Sequence, residues 1–251
     1  MTRRSGRLEA RGIHCEHDGS LDHHSSRRRK LKSQPHPVYA AYPLFWGALL
    51  LLVFFSLALP AVHQHLLPGD ELVYRAILEE RSPLLNAFFH AVTKAGSSKV
   101  LVPVGVGVLL WQHNNWRLLL FLLFYSFGVA VLEIGAKYMV ARPRPHQYFV
   151  SGPPLHSSHG FPSDHVLAAA AFYGMLLVLL RKAVRHRSWQ WGIMGGILLL
   201  ILLVGLSRIY RGAHWPSDVL GGYALGGAYC LLATVGYEWI ENQQPKKLDR
   251  S

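Results

Sequence analysis

The chain has 251 residues, of which 51% are hydrophobic and 16% are charged, and its formal net charge is +12. This balance is too apolar for an ordinary soluble domain and is typical of a compact membrane bundle. The basic residues are not interleaved with aromatics along a groove, so the charge does not indicate nucleic-acid binding. Nine of the 26 Lys and Arg residues lie in the N-terminal segment 1–43.

That segment has neither the early apolar stretch of a secretory signal nor the acid-poor composition of a transit peptide. We interpret it as a basic, mostly disordered cytoplasmic tail whose cations lie near anionic lipid headgroups. The membrane domain then covers residues 44–240, and residues 241–251 form a second cytoplasmic tail.

Six segments are apolar and long enough to cross the hydrocarbon core, which takes roughly 20 residues. They are residues 44–62, 95–112, 116–136, 161–180, 189–207 and 219–240. The second is the weakest, because Lys99 and Pro103 interrupt it. The basic loop after the fourth segment should share the cytoplasmic side with the basic tail, which requires an even number of crossings and retains the second span. We therefore predict an all-α, polytopic membrane protein with a six-transmembrane-helix bundle and both termini in the cytoplasm.

The segment between the first two spans, residues 67–94, has apolar positions at roughly helical spacing. We predict one or two external amphipathic helices, which lie on the membrane surface or cap the bundle. An ordinary packed extramembrane helix fits the pattern equally well.

The sixth span contains four glycines, Gly221, Gly222, Gly226 and Gly227. Small residues allow helices to approach closely. The pattern indicates close packing either within one chain or in a homodimer.

Three polar clusters lie at the ends of the predicted spans. They are KYMVARPRP at residues 137–145, FPSDH at 161–165 and SRIYRGAHWPSD at 207–218. The six-span topology places all three on the extracytoplasmic side, although the span count depends on the basic loops alone. Within these clusters, Lys137, Arg144 and Arg208 are cations suited to a phosphate. Ser163 lies at a predicted helix start, where backbone N–H groups also face an anion.

The two histidines of these clusters, His165 and His214, are enough for a proton donor and a nucleophile. Asp218 follows His214 by four residues, so its carboxylate can reach back and fix the imidazole tautomer. A carboxylate–histidine pair beside three cations describes phosphoryl transfer through a phosphohistidine. A zinc site needs three or four close ligands, and His156, His159 and His165 are only a loose candidate, so no metal is expected.

Three further charged residues have more than one interpretation. Arg142 and Arg211 fit interfacial anchors and parts of the anion site equally well. Glu133 lies inside the third span, where a charge is expensive without a partner. We favour an ion pair that positions Lys137, and a lipid-headgroup or proton-handling role is the alternative.

The three clusters resemble the signature of the type 2 phosphatidic acid phosphatase superfamily of membrane lipid phosphatases. That signature is Lys, six residues, Arg-Pro; then Pro-Ser-Gly-His; then Ser-Arg, five residues, His, three residues, Asp. The first and third spacings are met here, and the resemblance covers nearly everything from residue 44 to residue 240. Within the superfamily, the sequence resembles the undecaprenyl pyrophosphate phosphatases and the phosphatidylglycerophosphatase B enzymes.

The resemblance implies a six-helix bundle with a site that uses no metal and no cofactor. In it, His214 attacks phosphorus, Asp218 orients His214, and His165 protonates the leaving oxygen and then activates water. The residues that the resemblance assigns to holding the phosphate oxygens are Lys137, Arg144, Ser163 and Arg208. We place Asp164 in the predicted phosphate-binding set as well, because it lies between Ser163 and His165.

Asp164 stands where the superfamily usually has Gly. A carboxylate beside a bound phosphate should repel it. If the side chain points away, only the backbone N–H faces the anion, and an acid in a first helical turn is otherwise favourable. The Ser-Asp-His sequence at this position resembles that of undecaprenyl pyrophosphate phosphatases. This resemblance favours undecaprenyl pyrophosphate as the substrate.

The sequence therefore predicts a bacterial inner- or cell-membrane enzyme that hydrolyses a lipid mono- or diphosphate on the extracytoplasmic side. Its candidate substrates are undecaprenyl pyrophosphate, phosphatidate and phosphatidylglycerophosphate, and its partners are membrane lipids and no nucleic acid. The alternatives are a lipid phosphotransferase with the same site and a catalytically silent lipid-binding protein.

Overall fold

A computed structural model describes residues 37–63, 66–145, 159–184 and 186–242. Most of both predicted tails lies outside these ranges. The regular elements within them are all helical: α1 (Pro37–Val62), α2 (Asp70–Glu79), α3 (Pro83–Ala95), α4 (Ser98–Trp111), α5 (Trp116–Val140), α6 (Asp164–Ala183), α7 (Arg187–Tyr210) and α8 (Pro216–Asn242). The prediction of an all-α bundle is confirmed.

Five of the helices in the described ranges are long and apolar enough to cross a membrane, namely α1, α5, α6, α7 and α8. Helices α3 and α4 pass the same test only together, as one span bent by 43°. The weak second span of the sequence corresponds to α4, whose 14 residues are too few to cross alone. Among the described residues there are thus five spans, or six if the bent pair counts as one.

The break between α3 and α4 falls at Gly96 and Ser97, and Gly96 is needed there for close packing. A Cβ on Gly96 would lie 2.6 Å from a Val204 side-chain carbon and 2.9 Å from the His165 carbonyl oxygen. The bend therefore sits directly against the start of α6. This contact holds the α3–α4 junction beside the second polar cluster.

The predicted amphipathic segment forms α2 and α3, as expected. Ser82 caps α3 by accepting a hydrogen bond from the Leu85 N–H, and Pro83 takes the first helical position, which suits its missing N–H. Helix α2 packs against α7 and α8. Its Tyr74 ring lies 5.0 Å from the ring of Trp215, so α2 covers the end of the bundle that carries the third cluster.

Helix α8 packs most extensively against α1 and α6, and its glycines explain how. A Cβ on Gly226 would lie 2.5 Å from the Leu167 carbonyl oxygen, and one on Gly222 would lie 2.9 Å from the Ser163 carbonyl oxygen. The close approach predicted from these glycines is therefore made within one chain. It brings the first turn of α6 beside the first turn of α8.

Large apolar side chains cover the outside of the spans, including Leu52, Phe124 and Leu202, which are all more than half exposed. An apolar surface of this extent is stable against lipid chains and not against water. The chain is an integral membrane protein.

Candidate active site

The three polar clusters meet at one end of the bundle. The end of α5 supplies Lys137, the start of α6 supplies Asp164 and His165, and the start of α8 lies next to His214. The Asp164 carboxylate lies within 3.4 Å of the side-chain nitrogens of the other three residues. The contacts with Lys137 and His214 join residues that are far apart in the sequence, so the three clusters meet as predicted.

His214 is fully buried, and its two ring nitrogens have different surroundings. Its Nδ1 lies 2.8 Å from the Gly160 carbonyl oxygen. Because a carbonyl oxygen can only accept, this hydrogen bond places the proton of a neutral ring on Nδ1 and leaves the Nε2 lone pair free. The Oδ2 atom of Asp218 lies 3.7 Å from the same Nδ1, which is longer than a hydrogen bond. The tautomer is thus fixed by Gly160, with the Asp218 charge close behind it.

Gly160 can make this contact because it has no side chain. A Cβ there would lie 3.2 Å from the carbonyl oxygens of Arg142 and Pro143 and 3.3 Å from Asp218 Oδ2. The Gly160 N–H also donates a 2.6 Å hydrogen bond to the Arg142 carbonyl oxygen. The peptide at Gly160 is therefore held from both sides.

Behind His214 lies a fully buried charged network. Arg142 Nη1 donates to Asp218 Oδ1 at 2.7 Å, and Arg142 Nη2 donates to Asp70 Oδ2 at 2.7 Å. The side chains of Arg142 and Asp218 are 0% exposed and that of Asp70 is 2% exposed. Burial lowers the pKa of the Arg142 guanidinium, but the carboxylates of Asp218 and Asp70 outweigh this effect and raise that pKa above its ordinary value.

The carboxylate of Asp70 is tied to α8 as well as to Arg142. Its Oδ1 accepts a 2.9 Å hydrogen bond from the Ser217 N–H, and its Oδ2 accepts one of 2.7 Å from the Ser217 hydroxyl. Asp218 Oδ2 accepts a 2.9 Å hydrogen bond from the Trp215 N–H. The two carboxylates therefore clamp the first turn of α8, next to His214.

The sequence interpretation missed Asp70 and left Arg142 undecided. Arg142 is not an interfacial anchor, because its guanidinium is buried between two carboxylates. Arg211 is exposed, and its Nη1 lies 2.8 Å from His90 Nδ1. The two arginines, which the sequence did not distinguish, thus have different environments.

Asp164 does not point away from the site. Its Oδ1 lies 3.3 Å from His165 Nδ1 and 3.4 Å from His214 Nε2, and its Oδ2 lies 3.4 Å from Lys137 Nζ. The arrangement in which only its backbone N–H faces the site is therefore wrong. The physical reason is the attraction of the carboxylate to the Lys137 ammonium.

Lys137 is held between two carboxylates. Glu133 Oε1 lies 3.3 Å from Lys137 Nζ, one helical turn earlier on α5. The ion pair with Lys137 that we favoured for Glu133 is present, and its role in positioning Lys137 stays a prediction.

Four buried polar atoms around this point have no hydrogen-bond partner among the described residues: Ser163 Oγ, Asp164 Oδ1, Arg208 Nε and His214 Nε2. Buried polar atoms in this condition are uncommon and call for an explanation. The Arg208 guanidinium is held through its Nη1 atom, which donates a 3.1 Å hydrogen bond to Thr93 Oγ1. Half-buried Arg144 is within electrostatic range of Arg208. Arg208 and Arg144 give this point a positive charge of the kind that receives an anion, with the Asp164 carboxylate beside it.

The backbone N–H of Ser163 is not part of that pocket. It donates a 3.0 Å hydrogen bond to the Asp218 carbonyl oxygen. At Ser163, only the side-chain hydroxyl is therefore left to meet an anion.

A cavity of about 460 Å³ lies between α4, α5 and α6. Its polar end includes Glu133, Asp164 and His165, and the rest of its wall is mainly apolar. The cavity therefore joins the charged cluster to an apolar space between the spans.

No group of three His, Cys, Asp or Glu side chains in the described ranges is arranged to hold a metal ion. His156, part of the loose zinc candidate, lies outside those ranges.

Comparison with known proteins gives a consistent result. The model of the PAP2 superfamily matches residues 115–242. Phosphatidylglycerophosphatase B of Bacillus subtilis is 32% identical over 186 residues, which cover 70% of this chain and 87% of the relative. An undecaprenyl-diphosphatase of Sulfolobus acidocaldarius is 30% identical over 214 residues, which cover 82% and 96%. The crystal structure of a transmembrane PAP2 type phosphatidylglycerolphosphate phosphatase from Bacillus subtilis has a TM-score of 0.66 at 29% identity and covers 80% of this chain and 100% of that chain.

Proposed function

We propose, given that this chain belongs to the PAP2 superfamily of membrane lipid phosphatases, that it hydrolyses a lipid mono- or diphosphate through a phosphohistidine on His214. The observation that carries this proposal is the buried His214 ring. Its Nδ1 is hydrogen-bonded to Gly160, and its Nε2 lies 3.4 Å from the Asp164 carboxylate, which also contacts Lys137 and is within electrostatic range of Arg208. A histidine with one nitrogen fixed and the other free beside cations is suited to attack phosphorus.

In the first step, His214 Nε2 attacks phosphorus as the bond from phosphorus to the lipid oxygen breaks. The leaving oxygen takes a proton from His165, which lies in the same cluster. Lys137 and Arg208, with Arg144 and the Ser163 hydroxyl, bind the phosphoryl oxygens and stabilise the charge of the transition state. The product is a phosphohistidine and a free lipid alcohol, or a lipid monophosphate if the substrate is a diphosphate.

In the second step, water attacks the phosphorus of the phosphohistidine. His165, now neutral, accepts the proton of that water, and the bond from phosphorus to Nε2 breaks. Inorganic phosphate leaves, and His214 returns to its starting state. No atom in either step has to come from a metal or a cofactor.

Asp218 supports the histidine in both steps. Phosphorylation at Nε2 gives the imidazole ring a positive charge, and the Asp218 carboxylate 3.7 Å from Nδ1 stabilises that charge. Arg142 and Asp70 hold the carboxylate in place.

The cavity and the relatives support the proposed substrate class. The apolar cavity ends at Asp164 and His165, so a lipid chain can lie in it with its phosphate at the charged cluster. The two relatives are named for phosphatidylglycerophosphate and undecaprenyl diphosphate. We therefore retain undecaprenyl pyrophosphate, phosphatidylglycerophosphate and phosphatidate as candidates, and the Ser-Asp-His variant favours the first.

We further propose that the site faces the periplasm or the cell exterior in a bacterial cell membrane. Helix α6 begins in the site, and its far end carries Arg181 close to Arg187, the first residue of α7. Because basic loops remain in the cytoplasm, this arrangement supports an extracytoplasmic site.

The test is a panel of lipid mono- and diphosphates given to the purified protein, with His214→Ala as the variant and a chelator as a second arm. We expect the variant to lose at least about a thousandfold in kcat and the chelator to have no effect. Undiminished turnover by His214→Ala would refute the phosphohistidine, and loss of activity on chelation would refute the metal-free mechanism. Release of free phosphate, in place of a labelled acceptor lipid, separates a hydrolase from a phosphotransferase.

A further inference from the structure

We infer that the Asp164 carboxylate is a built-in competitor for the phosphate position, which makes the site select lipid-linked phosphates over free inorganic phosphate. The inference rests on the proposed function for its biological meaning. Its physical content is narrower: the carboxylate and a phosphate compete for the same nitrogens.

The Asp164 carboxylate lies beside the nitrogen of His214 that would attack phosphorus. Its Oδ1 is 3.4 Å from His214 Nε2, the nitrogen left free by the Gly160 hydrogen bond. A group attacked by Nε2 must place its phosphorus about 3–3.5 Å from that atom. The phosphorus and the Asp164 carboxylate cannot both take this place, so the side chain must leave before a phosphate reacts.

The negative charge of the Asp164 carboxylate also opposes phosphate binding. The carboxylate contacts Lys137, which would otherwise bind a phosphate oxygen, and the two imidazoles, which would otherwise face the phosphorus and the leaving oxygen. An incoming phosphate has to replace these contacts, and it meets a repelling charge if the carboxylate stays nearby. Any phosphate therefore binds more weakly than the cations alone would allow.

The position of Asp164 at the start of α6 allows this displacement. Asp164 is the first residue of the helix, after the extended residue Ser163, and its side chain is 24% exposed. A change of its χ1 rotamer moves the carboxylate without breaking the helix. A stabilising role at the helix N-terminus alone would not require the carboxylate to point at His214.

This competition favours lipid-linked phosphates over free inorganic phosphate. The cavity of about 460 Å³ that reaches Asp164 and His165 has mainly apolar walls. A lipid substrate gains binding free energy from this cavity and can offset the displacement of the carboxylate, whereas inorganic phosphate has no chain to place there. The same carboxylate then favours the release of inorganic phosphate at the end of the reaction.

Glu133 provides a matched control for Asp164. Both carboxylates lie near Lys137 Nζ, at 3.3 Å for Glu133 and 3.4 Å for Asp164. Asp164 also lies close to the two imidazoles. Asp164→Asn and Glu133→Gln therefore remove the same charge from the same lysine, and differ in whether that charge occupied the phosphate position.

The experiment is calorimetric titration of inorganic orthophosphate into the detergent-purified full chain, with inhibition of substrate turnover by orthophosphate as a second readout. We expect Asp164→Asn to bind orthophosphate at least about tenfold more tightly than the original protein. We expect a smaller gain for Glu133→Gln, because this change removes a charge beside Lys137 but its carboxylate does not block His214.

Unchanged or weaker binding by Asp164→Asn overturns the inference, and so does an equal gain in both variants, which would reflect net charge alone. Asp164→Gly is a second variant that removes the whole side chain and should give the same gain. If no lipid phosphate is hydrolysed, the proposed function fails, but the titration still decides whether Asp164 competes with phosphate.

Discussion

Replacing Arg142 with methionine tests the buried network most directly, because it removes the cation that lies between Asp70 and Asp218. Methionine has a similar volume and leaves both carboxylates in place, each 0–2% exposed and without the guanidinium that lay 2.7 Å away. Removing one partner of a buried ion pair costs about 3–5 kcal/mol. The hydrogen bonds that Ser217 and Trp215 donate to the carboxylates remain, so we expect the lower half of that range for each carboxylate.

The assay is reversible unfolding of the detergent-solubilised protein by sodium dodecyl sulfate, from which a free energy of unfolding is obtained. Arg211→Met is the matched control: it removes an exposed arginine, and exposed substitutions change stability by about 0.5 kcal/mol or less. Arg142→Lys should recover part of the stability, because an ammonium restores the charge and not the two-sided guanidinium geometry.

A second variant separates charge from packing. If the loss comes from unpaired carboxylates, adding Asp70→Asn to Arg142→Met should recover part of the stability, because it removes one buried charge. Equal stability of Arg142→Met and Arg211→Met would refute the reasoning. In activity assays, we expect Arg142→Lys to lower kcat more than it changes KM, since Asp218 acts on His214 and not on the lipid.

The remaining predictions concern glycines where an added side chain would, or would not, meet the backbone of a neighbouring segment. Gly226→Val should destabilise the protein by about 1–3 kcal/mol or more, because its Cβ would lie 2.5 Å from the Leu167 carbonyl oxygen; Gly196→Ala, with no atom within 4 Å of an added Cβ, should be neutral or stabilising in the same unfolding assay. Gly160→Ala should lower kcat by roughly tenfold, because a Cβ 3.2 Å from the Arg142 carbonyl shifts the acceptor that holds His214. An unaltered kcat in the Gly160→Ala variant would mean that this carbonyl does not position the ring.

The sequence predicts the bundle and the meeting of the clusters for physical reasons that act locally. Long apolar segments are recognisable one by one. Because successive spans cross the membrane in alternating directions, the end of α5, the start of α6, the end of α7 and the start of α8 are predicted on the same side. The predicted residues His165, His214 and Asp218 accordingly lie close together.

The network behind His214 could not be predicted in this way. Asp70 and Arg142 are 72 positions apart in the sequence, and nothing near either residue indicates that the two form an ion pair. Ala141 ends α5 in the left-handed conformation, with a φ of 49°, at the residue before Arg142. The direction that the chain takes after this turn places Arg142 inside, and its near neighbour Arg144 less deeply.

The orientation of Asp164 was also beyond local reasoning. An acid in the first turn of a helix is favourable wherever its side chain points. The Lys137 ammonium attracts the carboxylate toward the site, and Lys137 and His214 come from other parts of the chain. The short second span is a similar case, because α4 depends on its bent junction with α3.

The ion pair between Asp70 and Arg142 also has a consequence for where the functional unit begins. The part of the chain that matches the superfamily model starts at residue 115, yet the carboxylate that balances Arg142 is on α2. A fragment limited to the matching region would bury Arg142 with half of its anionic partners and would leave α8 without α1 against it. The smallest part of this chain that can fold with an intact site therefore has to include Asp70, which lies outside the matching region and pairs with Arg142 inside it.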